Sequence, residues 1–337
     1  MKAVNVVIAG ATGLVGGTLL RLFEENKLPI KTLRLLASEQ SSGKTVAFKG
    51  EPLTIENLAT FDFSGVDIAF FCISNELAAV YAPKAAAAGC IVIDKSNHFR
   101  NNPDVPLMVP EVNPHHLSQF KKTNIIANPN CTTIPIAVAV KAIHAAAGIT
   151  RINIATYQAV SGTGKEAVQE LREQSQHVLN DQAVTAKIYP QQIAFNVLPH
   201  IDAFEANGYT REEMKMVLEL RKIFNEPHLA VNPTAVRVPV LNGHAAAVHL
   251  ETRDKIALDH VKALLEAEPG LHLISGDYPY PTPVKDASGQ DAVYVGRLRE
   301  DISHPRGINL WVVADNLRKG AALNAVQIAN QLIKDYL

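Results

Sequence analysis

The sequence has few cysteines, almost no net charge and no long apolar run. Three cysteines in 337 residues are too few for a disulfide framework, and Met1–Ile8 is typical of a strand rather than a signal peptide, so we expect a reducing, cytoplasmic setting. The 32 basic and 33 acidic residues leave a net charge of −1, which predicts neither nucleic-acid nor membrane-surface binding. No apolar run reaches the ~20 residues of a transmembrane helix. A hydrophobic share of 47% predicts a globular protein, long enough for two domains.

Strand-like and helix-like segments alternate in the first 130 residues. The strand segments are apolar without polar alternation, which is typical of a parallel sheet covered on both faces, and therefore of an α/β domain. The predicted strands are Val4–Ala9, Thr32–Ala37, Asp67–Ile73, Ile91–Asp94 and Asn124–Ala127, and the predicted helices are Leu14–Glu25 and Ala78–Gly89.

After a helix at Ile134–Ala147, the pattern changes to a mixed α+β region. The predicted strands are Ile152–Ala159, Val236–Leu241, Ala245–Thr252 and Gly307–Ala314, and the predicted helices are Thr210–Phe224 and Asp259–Ala267. The turn Asn242-Gly243 is expected to join two of these strands. The last helix, Ala321–Leu337, is expected to pack on the first domain. We therefore predict a dinucleotide-binding domain at 1–130 plus 315–337 and a second domain at 131–314.

A glycine-rich turn, Gly10-Ala-Thr-Gly-Leu-Val-Gly16, follows the first strand and opens the first helix. Glycine allows a tight turn and close approach to a pyrophosphate, which the helix N-terminus can bind. Its position in the first βαβ unit strengthens a motif that would be weak alone. The predicted cofactor contacts here are Gly10, Thr12, Gly13, Leu14, Val15 and Gly16.

The segment after the second predicted strand bears on the choice between NADP and NAD. Ser38, Ser41 and Lys44 could hold a 2′-phosphate, whereas Glu39 could accept a hydrogen bond from a 2′-hydroxyl and would repel the phosphate. The hydroxyl groups favour NADP, with NAD as the alternative.

Cys131 lies between a strand-like segment that ends at Asn128-Pro129 and a helix-like segment that begins at Ile134. Pro135 fits the first turn of that helix. A thiol at a helix N-terminus is favoured as the thiolate, and the N–H groups there could hold an oxyanion. Cys131 is therefore a candidate nucleophile, the alternative being an inert buried cysteine.

Other polar residues are candidates whose patterns leave alternatives open. His244 follows an Asn-Gly turn and is either a site residue or a solvated turn histidine. Arg237 lies among apolar residues, where burial is costly unless the charge is paired. Glu219 and Lys222 share a helix face and otherwise form a surface ion pair. A metal site at His244 and His249 is not expected, because an offset of five residues places them on opposite strand faces.

These motifs together resemble aspartate-β-semialdehyde dehydrogenases over essentially the whole chain. The motifs that carry the resemblance are Gly10–Gly16, Pro129–Thr133 (PNCTT), Thr156–Gly164 (TYQAVSGTG), Phe195–His200 (FNVLPH), Val236–Val240 (VRVPV) with His244, and Leu310–Ala322 (LWVVADNLRKGAA). The resemblance implies a Rossmann domain followed by an α+β catalytic and dimerisation domain. It also implies a homodimer, with a dimer of dimers as a further option.

The resemblance implies NADPH-dependent reduction of L-4-aspartyl phosphate to L-aspartate 4-semialdehyde through a thioester on Cys131. Phosphate is released, or consumed in reverse. This reaction belongs to lysine (diaminopimelate), threonine, methionine and isoleucine biosynthesis.

The resemblance also assigns the remaining site residues. His244 matches the acid/base, with a pKa expected near neutral, and Gln158 matches an amide that orients the substrate. Arg237 matches the carboxylate ligand and Glu219 the ammonium ligand. Phosphate contacts are Arg100, Asn130 and Lys222, and further cofactor contacts are Ser161, Gly162 and Asn316.

The sequence departs from the family pattern at several positions, one of them in the predicted cofactor loop. Gln40 stands where an arginine of the adenosine-phosphate loop is usual, which removes a bidentate phosphate donor; we count Ser38, Gln40 and Ser41 as cofactor contacts. The alternatives are a related acyl-phosphate or acyl-CoA semialdehyde reductase on the same fold, or a non-catalytic nucleotide-binding paralogue. N-acetyl-glutamyl-phosphate reductase, a sister enzyme, normally carries Pro-Gly-Cys-Tyr at the nucleophile, unlike Pro129–Thr133.

Overall fold

The computed structural model describes residues 2–25 and 27–337. The chain forms two compact units. The first comprises the described residues up to Asn130 together with Ala321–Leu337, and the second comprises Cys131–Gly320. Residues 315–320 thus cluster with the second unit, whereas the sequence analysis assigned them to the first.

The first unit contains a seven-stranded sheet in the order β3-β4-β2-β1-β5-β6-β7. Its strands are β1 (Val4–Ala9), β2 (Ile30–Ala37), β3 (Thr45–Phe48), β4 (Glu51–Asn57), β5 (Ile68–Phe71), β6 (Ile91–Asp94) and β7 (Ile125–Ala127), and its first helices are α1 (Leu14–Glu24) and α2 (Asn75–Ala87). All neighbours are parallel except β3 and β4. The predicted α/β class is confirmed, and all five predicted strands are present within a few residues.

The sequence analysis missed the antiparallel hairpin β3–β4. Its strands are short and partly exposed, so they lack the continuous apolar character of the central strands. Lys49 and Gly50 form the turn, both with positive φ (51° and 84°), which matches a two-residue hairpin turn.

The C-terminal helix belongs to the core of the first unit. This helix is the last of the chain (Leu323–Asp335), and its Leu323, Val326 and Leu332 share a buried apolar cluster with Leu19 and Phe23 of α1. The prediction that the last helix returns to the first domain is confirmed.

The second unit contains a six-stranded mixed sheet. Its strands are β8 (Ile149–Gln158), β9 (Ala230–Arg237), β10 (His244–Thr252), β11 (Leu271–Leu273), β12 (Val293–Glu300) and β13 (Gly307–Ala314), and the helices are α3 (Thr133–Ala147), α4 (Lys165–Leu179), α5 (Arg211–Phe224) and α6 (Leu258–Ala267), so that the C-terminal helix is α7. The sheet order is β11-β12-β13-β10-β8-β9.

Asn242 and Gly243 lie between two strands, as expected, but these strands, β9 and β10, are not neighbours in the sheet. β9 ends at Arg237 and pairs in parallel with β8, while β10 pairs with β8 and β13. Pro233 lies inside β9, which is an edge strand and tolerates a missing N–H. Val238 still donates to the Gln158 carbonyl of β8, and the chain leaves the sheet before Pro239. The predicted strand at Val236–Leu241 therefore began six residues too late and ended four residues too late.

The two faces of this sheet differ. Helices α3, α5 and α6 pack against the strands and cover one face. On the opposite face, every second side chain of the strands points away from the helices, and these side chains line a depression of about 340 Å³. We call this the open face; it includes Asn153, Tyr157, Asn232, His249 and Trp311. Within the described part of the chain, no helix combines the length and apolarity needed to cross a membrane.

Candidate active site

Cys131 lies immediately before helix α3, as predicted. Thr132 is the N-cap residue, the helix begins at Thr133, and Cys131 is partly exposed. A Cβ at Gly320 would lie 3.0 Å from the Cys131 carbonyl oxygen and 3.2 Å from its Cβ. A side chain at residue 320 would therefore press against Cys131.

Three strand ends bring the other candidate side chains to one edge of the sheet. β8 ends at Gln158 and β9 ends at Arg237, and these two residues are paired in the parallel ladder. β10 runs antiparallel to β8 and begins at His244, beside the end of β8. Residues 79 and 86 positions apart in sequence thus become neighbours of Gln158 through strand register.

His244 contacts the thiol directly. Its Nε2 lies 3.4 Å from Cys131 Sγ, and its Nδ1 accepts a hydrogen bond from the Ala159 N–H at 3.0 Å. A ring whose Nδ1 accepts carries its proton on Nε2 when neutral, so Nε2–H can donate to a thiolate.

The charge state of His244 differs from the sequence expectation. Burial, reinforced by the Arg237 charge, lowers the pKa of His244 well below 6.5, whereas we expected a value near neutral. The ring is therefore neutral at neutral pH and is placed as a hydrogen-bond donor.

Arg237 is 4% exposed, and among the described residues it has no carboxylate partner. One guanidinium nitrogen, Nη1, donates to the Ala159 carbonyl at 2.8 Å, while Nε has no hydrogen bond. The guanidinium carbon lies 5.9 Å from the centre of the Tyr189 ring. A buried, unpaired guanidinium is costly, and an anionic ligand would offset that cost.

Gln158 is 1% exposed and is held through its amide nitrogen. Nε2 donates to Glu212 Oε1 at 3.2 Å and to Thr156 Oγ1 at 3.4 Å. In the described chain, both side-chain hydrogen bonds of Gln158 use this nitrogen, so Oε1 is the end left for a ligand.

Helix α5 carries Glu219 and Lys222 on one face. Its N-terminus has the predicted capping box, in which Thr210 and Glu213 bond reciprocally. Glu219 is 1% exposed. Burial lowers the pKa of Lys222 to about 8, opposed by the Glu219 charge. An ammonium with this pKa still carries its charge at neutral pH and can bind an anion.

Ser161 and Asn316, predicted as cofactor contacts, support the turn before His244. Asn316 Nδ2 donates to Ser161 Oγ at 3.0 Å, and its Oδ1 accepts from the Gly243 N–H at 2.8 Å. Gly162 lies beside them, and a Cβ there would be 3.1 Å from Arg237 Nη1 and 3.2 Å from the His244 ring. Ser161 and Asn316 thus hold the turn that precedes His244, and Gly162 leaves room for Arg237 and His244.

The glycine turn in the first unit fits a dinucleotide. Gly10 has φ +86°, and a Cβ there would lie 2.2 Å from the Cys72 carbonyl oxygen. A Cβ at Gly16 would lie 2.4 Å from the Gly10 carbonyl oxygen. Gly13 is the N-cap of α1, and Thr12, Leu14 and Val15 surround it. A helix N-terminus reached through such a turn presents N–H groups to a pyrophosphate.

The segment predicted to select the cofactor lies at the same edge of the sheet. β2 ends at Ala37 beside the end of β1, and a short 3₁₀ helix, Glu39–Ser41, follows. Ser38 and Gln40 are exposed and Ser41 is partly exposed. Their side chains are therefore accessible to an adenosine ribose.

Arg100 and Asn130 are buried in the first unit, 6% and 7% exposed. Arg100 donates through Nη2 to the Lys95 carbonyl at 2.8 Å. Their assignment to phosphate stays a prediction of the sequence. Among the residues described, no cluster of histidine, cysteine and carboxylate side chains could hold a metal ion.

Sequence reasoning missed three partners of the site: Ala159, Tyr189 and Glu212. The Ala159 backbone holds both His244 and Arg237, and no side-chain pattern signals a backbone contact. Glu212 stands inside Thr210-Arg-Glu-Glu213, a pattern typical of a helix cap. The signal was present but was assigned wholly to capping.

Comparisons with known proteins identify the family of this chain. Residues 5–120 match the family model "Semialdehyde dehydrogenase, NAD binding domain", and residues 140–319 match "Semialdehyde dehydrogenase, dimerisation domain". The chain is 55% identical to aspartate-semialdehyde dehydrogenase 2 of Vibrio cholerae over 98% of both chains. It is 54% identical to aspartate-semialdehyde dehydrogenase of Legionella pneumophila, over 100% of this chain and 97% of the relative.

A solved structure is equally similar. The crystal structure of aspartate semialdehyde dehydrogenase II from Vibrio cholerae, complexed with ASA, superposes with a TM-score of 0.98 at 54% identity, and each chain is covered completely. Both the sequence and the fold therefore show that the chain belongs to the aspartate-semialdehyde dehydrogenase family of oxidoreductases.

Proposed function

We propose that this chain catalyses the NADPH-dependent reductive dephosphorylation of L-4-aspartyl phosphate to L-aspartate 4-semialdehyde, and the reverse phosphorylating oxidation. The observation that carries the proposal is the 3.4 Å contact between Cys131 Sγ and Nε2 of a neutral, buried His244. A thiolate suits both halves of the reaction, because it attacks an acyl carbon readily and also leaves readily.

Cys131 forms the first covalent bond. Its thiolate attacks the acyl carbon of L-4-aspartyl phosphate, the carbon–oxygen bond to phosphate breaks, and inorganic phosphate leaves with that electron pair. The thiolate is stabilised by the N-terminus of α3 and by the proton on His244 Nε2. The product of this step is a thioester on Cys131.

Reduction of the thioester releases the aldehyde. A bound reduced nicotinamide supplies the hydride for this step. His244 Nε2–H then donates a hydrogen bond to the oxyanion that develops on the former carbonyl oxygen. When that oxyanion re-forms a carbonyl, the carbon–sulfur bond breaks and Cys131 returns to the thiolate. The thiolate requires no base in this cycle, which fits a neutral histidine that donates.

The charged residues of the second unit match the groups of the substrate. The unpaired Arg237 guanidinium suits the α-carboxylate, which it can grip with two hydrogen bonds. Glu219 and the free Oε1 of Gln158 suit the α-ammonium. Lys222 suits phosphate, and the family resemblance adds Arg100 and Asn130.

We propose NADP as the preferred cofactor, with NAD as the alternative. The match to a NAD-binding domain model supports a nicotinamide dinucleotide, and the exposed Ser38 and Ser41 support a 2′-phosphate. Gln40 provides an amide where the family usually has a guanidinium.

We also propose a homodimer formed through the open face. Residues 140–319 match a dimerisation domain, and the open face carries polar groups already bonded to one another. His249 Nε2 lies 2.7 Å from Asp301 Oδ2, and Asn153 contacts both His249 and Asn232. The free thiols fit the proposed cytoplasmic compartment.

The test is reduction of NADP⁺ and NAD⁺ by L-aspartate 4-semialdehyde, with and without phosphate, in wild type and Cys131→Ala. We expect phosphate-dependent turnover in wild type and a loss of roughly 10⁴-fold or more in the variant. Phosphate-independent turnover that requires coenzyme A would indicate an acyl-CoA reductase. Cofactor binding without turnover of any semialdehyde would indicate a nucleotide-binding paralogue.

A further inference from the structure

Glu212 contacts Gln158 from helix α5 and has no role in the reaction described above. We propose that Glu212 is a positioning residue, which fixes the Gln158 carboxamide so that Oε1, and not the amide nitrogen, faces the substrate ammonium. The inference rests on the proposed function of the same site. Its basis is the 3.2 Å hydrogen bond from Gln158 Nε2 to Glu212 Oε1.

The end of α5 that carries Glu212 is firmly attached to the sheet. Glu213, the next residue, accepts from the Ala235 N–H of β9 at 2.8 Å and from the Thr210 N–H at 2.6 Å. Glu212 itself is only 5% exposed and lies in the first turn of the helix. The carboxylate therefore approaches Gln158 from a fixed direction.

A glutamine amide needs such a partner to have a defined direction. Its oxygen and nitrogen ends have nearly the same size, so packing alone does not distinguish them. An ionised carboxylate accepts hydrogen bonds and cannot donate. Glu212 therefore selects the orientation in which Gln158 turns its NH₂ group towards the helix.

An ion pair with Lys215 keeps Glu212 in this role. Lys215 Nζ lies 3.2 Å from Glu212 Oε2 and 2.9 Å from Asp202 Oδ2. Although burial works against it, Glu212 and Asp202 raise the pKa of Lys215. One carboxylate oxygen thus binds the lysine, and the other accepts the hydrogen bond from Gln158.

The orientation matters because the proposed substrate offers only donors at its ammonium group. An amide turned the other way would present N–H groups to a cation and leave Glu212 facing an oxygen. Both contacts would be repulsive. The same two residues would then misplace the substrate relative to Cys131.

The experiment exchanges the two functional groups. In Glu212→Gln, the new amide oxygen is expected to stay on Lys215, so its NH₂ group faces residue 158 and reverses the Gln158 amide. We expect kcat/KM for L-aspartate 4-semialdehyde to fall roughly 10- to 100-fold, while KM for phosphate stays unchanged. Gln158→Glu should lose more, because two carboxylates then face each other.

The double exchange Gln158→Glu/Glu212→Gln restores a donor on the helix and an acceptor towards the substrate. We expect its kcat/KM to exceed that of the Glu212→Gln variant by about tenfold, although it contains one further substitution. A helix that is merely destabilised would not be rescued in this way. The matched control is Glu166→Gln, an exposed first-turn position of α4, which should match wild type.

Two results would overturn the inference while leaving the proposed function intact. One is a Glu212→Gln variant with wild-type kcat/KM for the semialdehyde. The other is a double exchange whose two effects simply multiply. If wild type itself does not turn over L-aspartate 4-semialdehyde, the proposed function fails first, which the same assay reveals.

Discussion

Backbone groups form the candidate site of the first unit, whereas side chains form the candidate site of the second. In the first, the turn Gly10–Gly16 consists of backbone groups, and a methyl group at Gly10 would overlap a carbonyl oxygen. In the second, Cys131, His244 and Arg237 act through side chains, and the Ala159 backbone holds two of them. The first site should therefore be sensitive to added atoms, and the second to removed ones.

The largest effect is expected from removing a side chain in the second unit. His244→Asn deletes the Nε2–H group 3.4 Å from Cys131 Sγ. We expect kcat to fall roughly 10²- to 10⁴-fold in stopped-flow or steady-state assays, as for other positioned proton or hydrogen-bond donors. The dissociation constant of the cofactor, measured by fluorescence titration, should not change.

The pH profile sharpens this prediction. Because the pKa of His244 is lowered well below 6.5, its neutral form persists above that pH. Wild type should therefore show no inflection from this ring between pH 6.5 and 8. An inflection in that range that disappears in His244→Asn would show that the ring works as an acid/base group.

Adding a methyl group to the first unit should have the next largest effect. Gly10→Ala combines a φ of +86° with a contact of 2.2 Å, and we expect about 2–4 kcal/mol of destabilisation in denaturant unfolding and roughly 100-fold weaker cofactor binding. Cys131 should remain reactive towards a thiol reagent in the folded variant.

Gly17→Ala is the matched control for that change. Gly17 lies in α1, the helix that follows the Gly10 turn, and a Cβ there would have nothing within 4 Å. We expect unchanged cofactor binding and a gain of up to about 1 kcal/mol in unfolding free energy, since alanine is the better helix former. Equal losses of cofactor affinity in the Gly10→Ala and Gly17→Ala variants would refute the view that the site depends on a close approach of the backbone at Gly10.

A smaller effect is expected at Lys222, where the pH dependence of the KM for phosphate tests whether the charge of this side chain binds the phosphate. The pKa of about 8 means that the ammonium is present below that pH and is lost above it. The KM for phosphate should rise as the pH passes 8, by up to about tenfold per pH unit. Lys222→Arg should remove this rise, because a guanidinium stays charged. A KM that is flat to pH 10 in wild type would exclude Lys222 as the phosphate ligand.

The smallest effect is expected at the exposed cofactor loop. Gln40→Arg restores a bidentate donor, and we expect the NADP⁺ to NAD⁺ ratio of kcat/KM to rise about five- to tenfold. Glu39→Gln should also raise this ratio. Removal of the negative charge should lower kcat/KM with NAD⁺ and relieve the repulsion of the 2′-phosphate of NADP⁺. No change in either ratio would place the 2′-phosphate elsewhere.

The sequence predicted the first unit better than the second, for a physical reason. Buried parallel strands are continuous apolar segments, so β1, β5 and β6 were recognisable from local pattern. In the second unit, β9 contains Pro233 and alternates in burial, and its true boundary depends on pairing with β8. Pairing between distant segments cannot be predicted from the local sequence pattern.

The same distinction applies to the site. Cys131 could be located because a helix start is a local signal, and the structure places it where the sequence predicted. The tautomer and lowered pKa of His244 could not be predicted, because they depend on burial and on the Ala159 N–H, 85 residues away in sequence. Glu212 was missed because a capping pattern already accounted for its presence.

Gly162 has a consequence for how the enzyme could escape inhibition. Every substitution there adds a Cβ, which would lie 3.1 Å from Arg237 Nη1 and 3.2 Å from the His244 ring. Contacts that tight force the neighbours to shift. An inhibitor that rests on the backbone of Gly162 would therefore bind a position at which resistance mutations disturb two residues of the site at once.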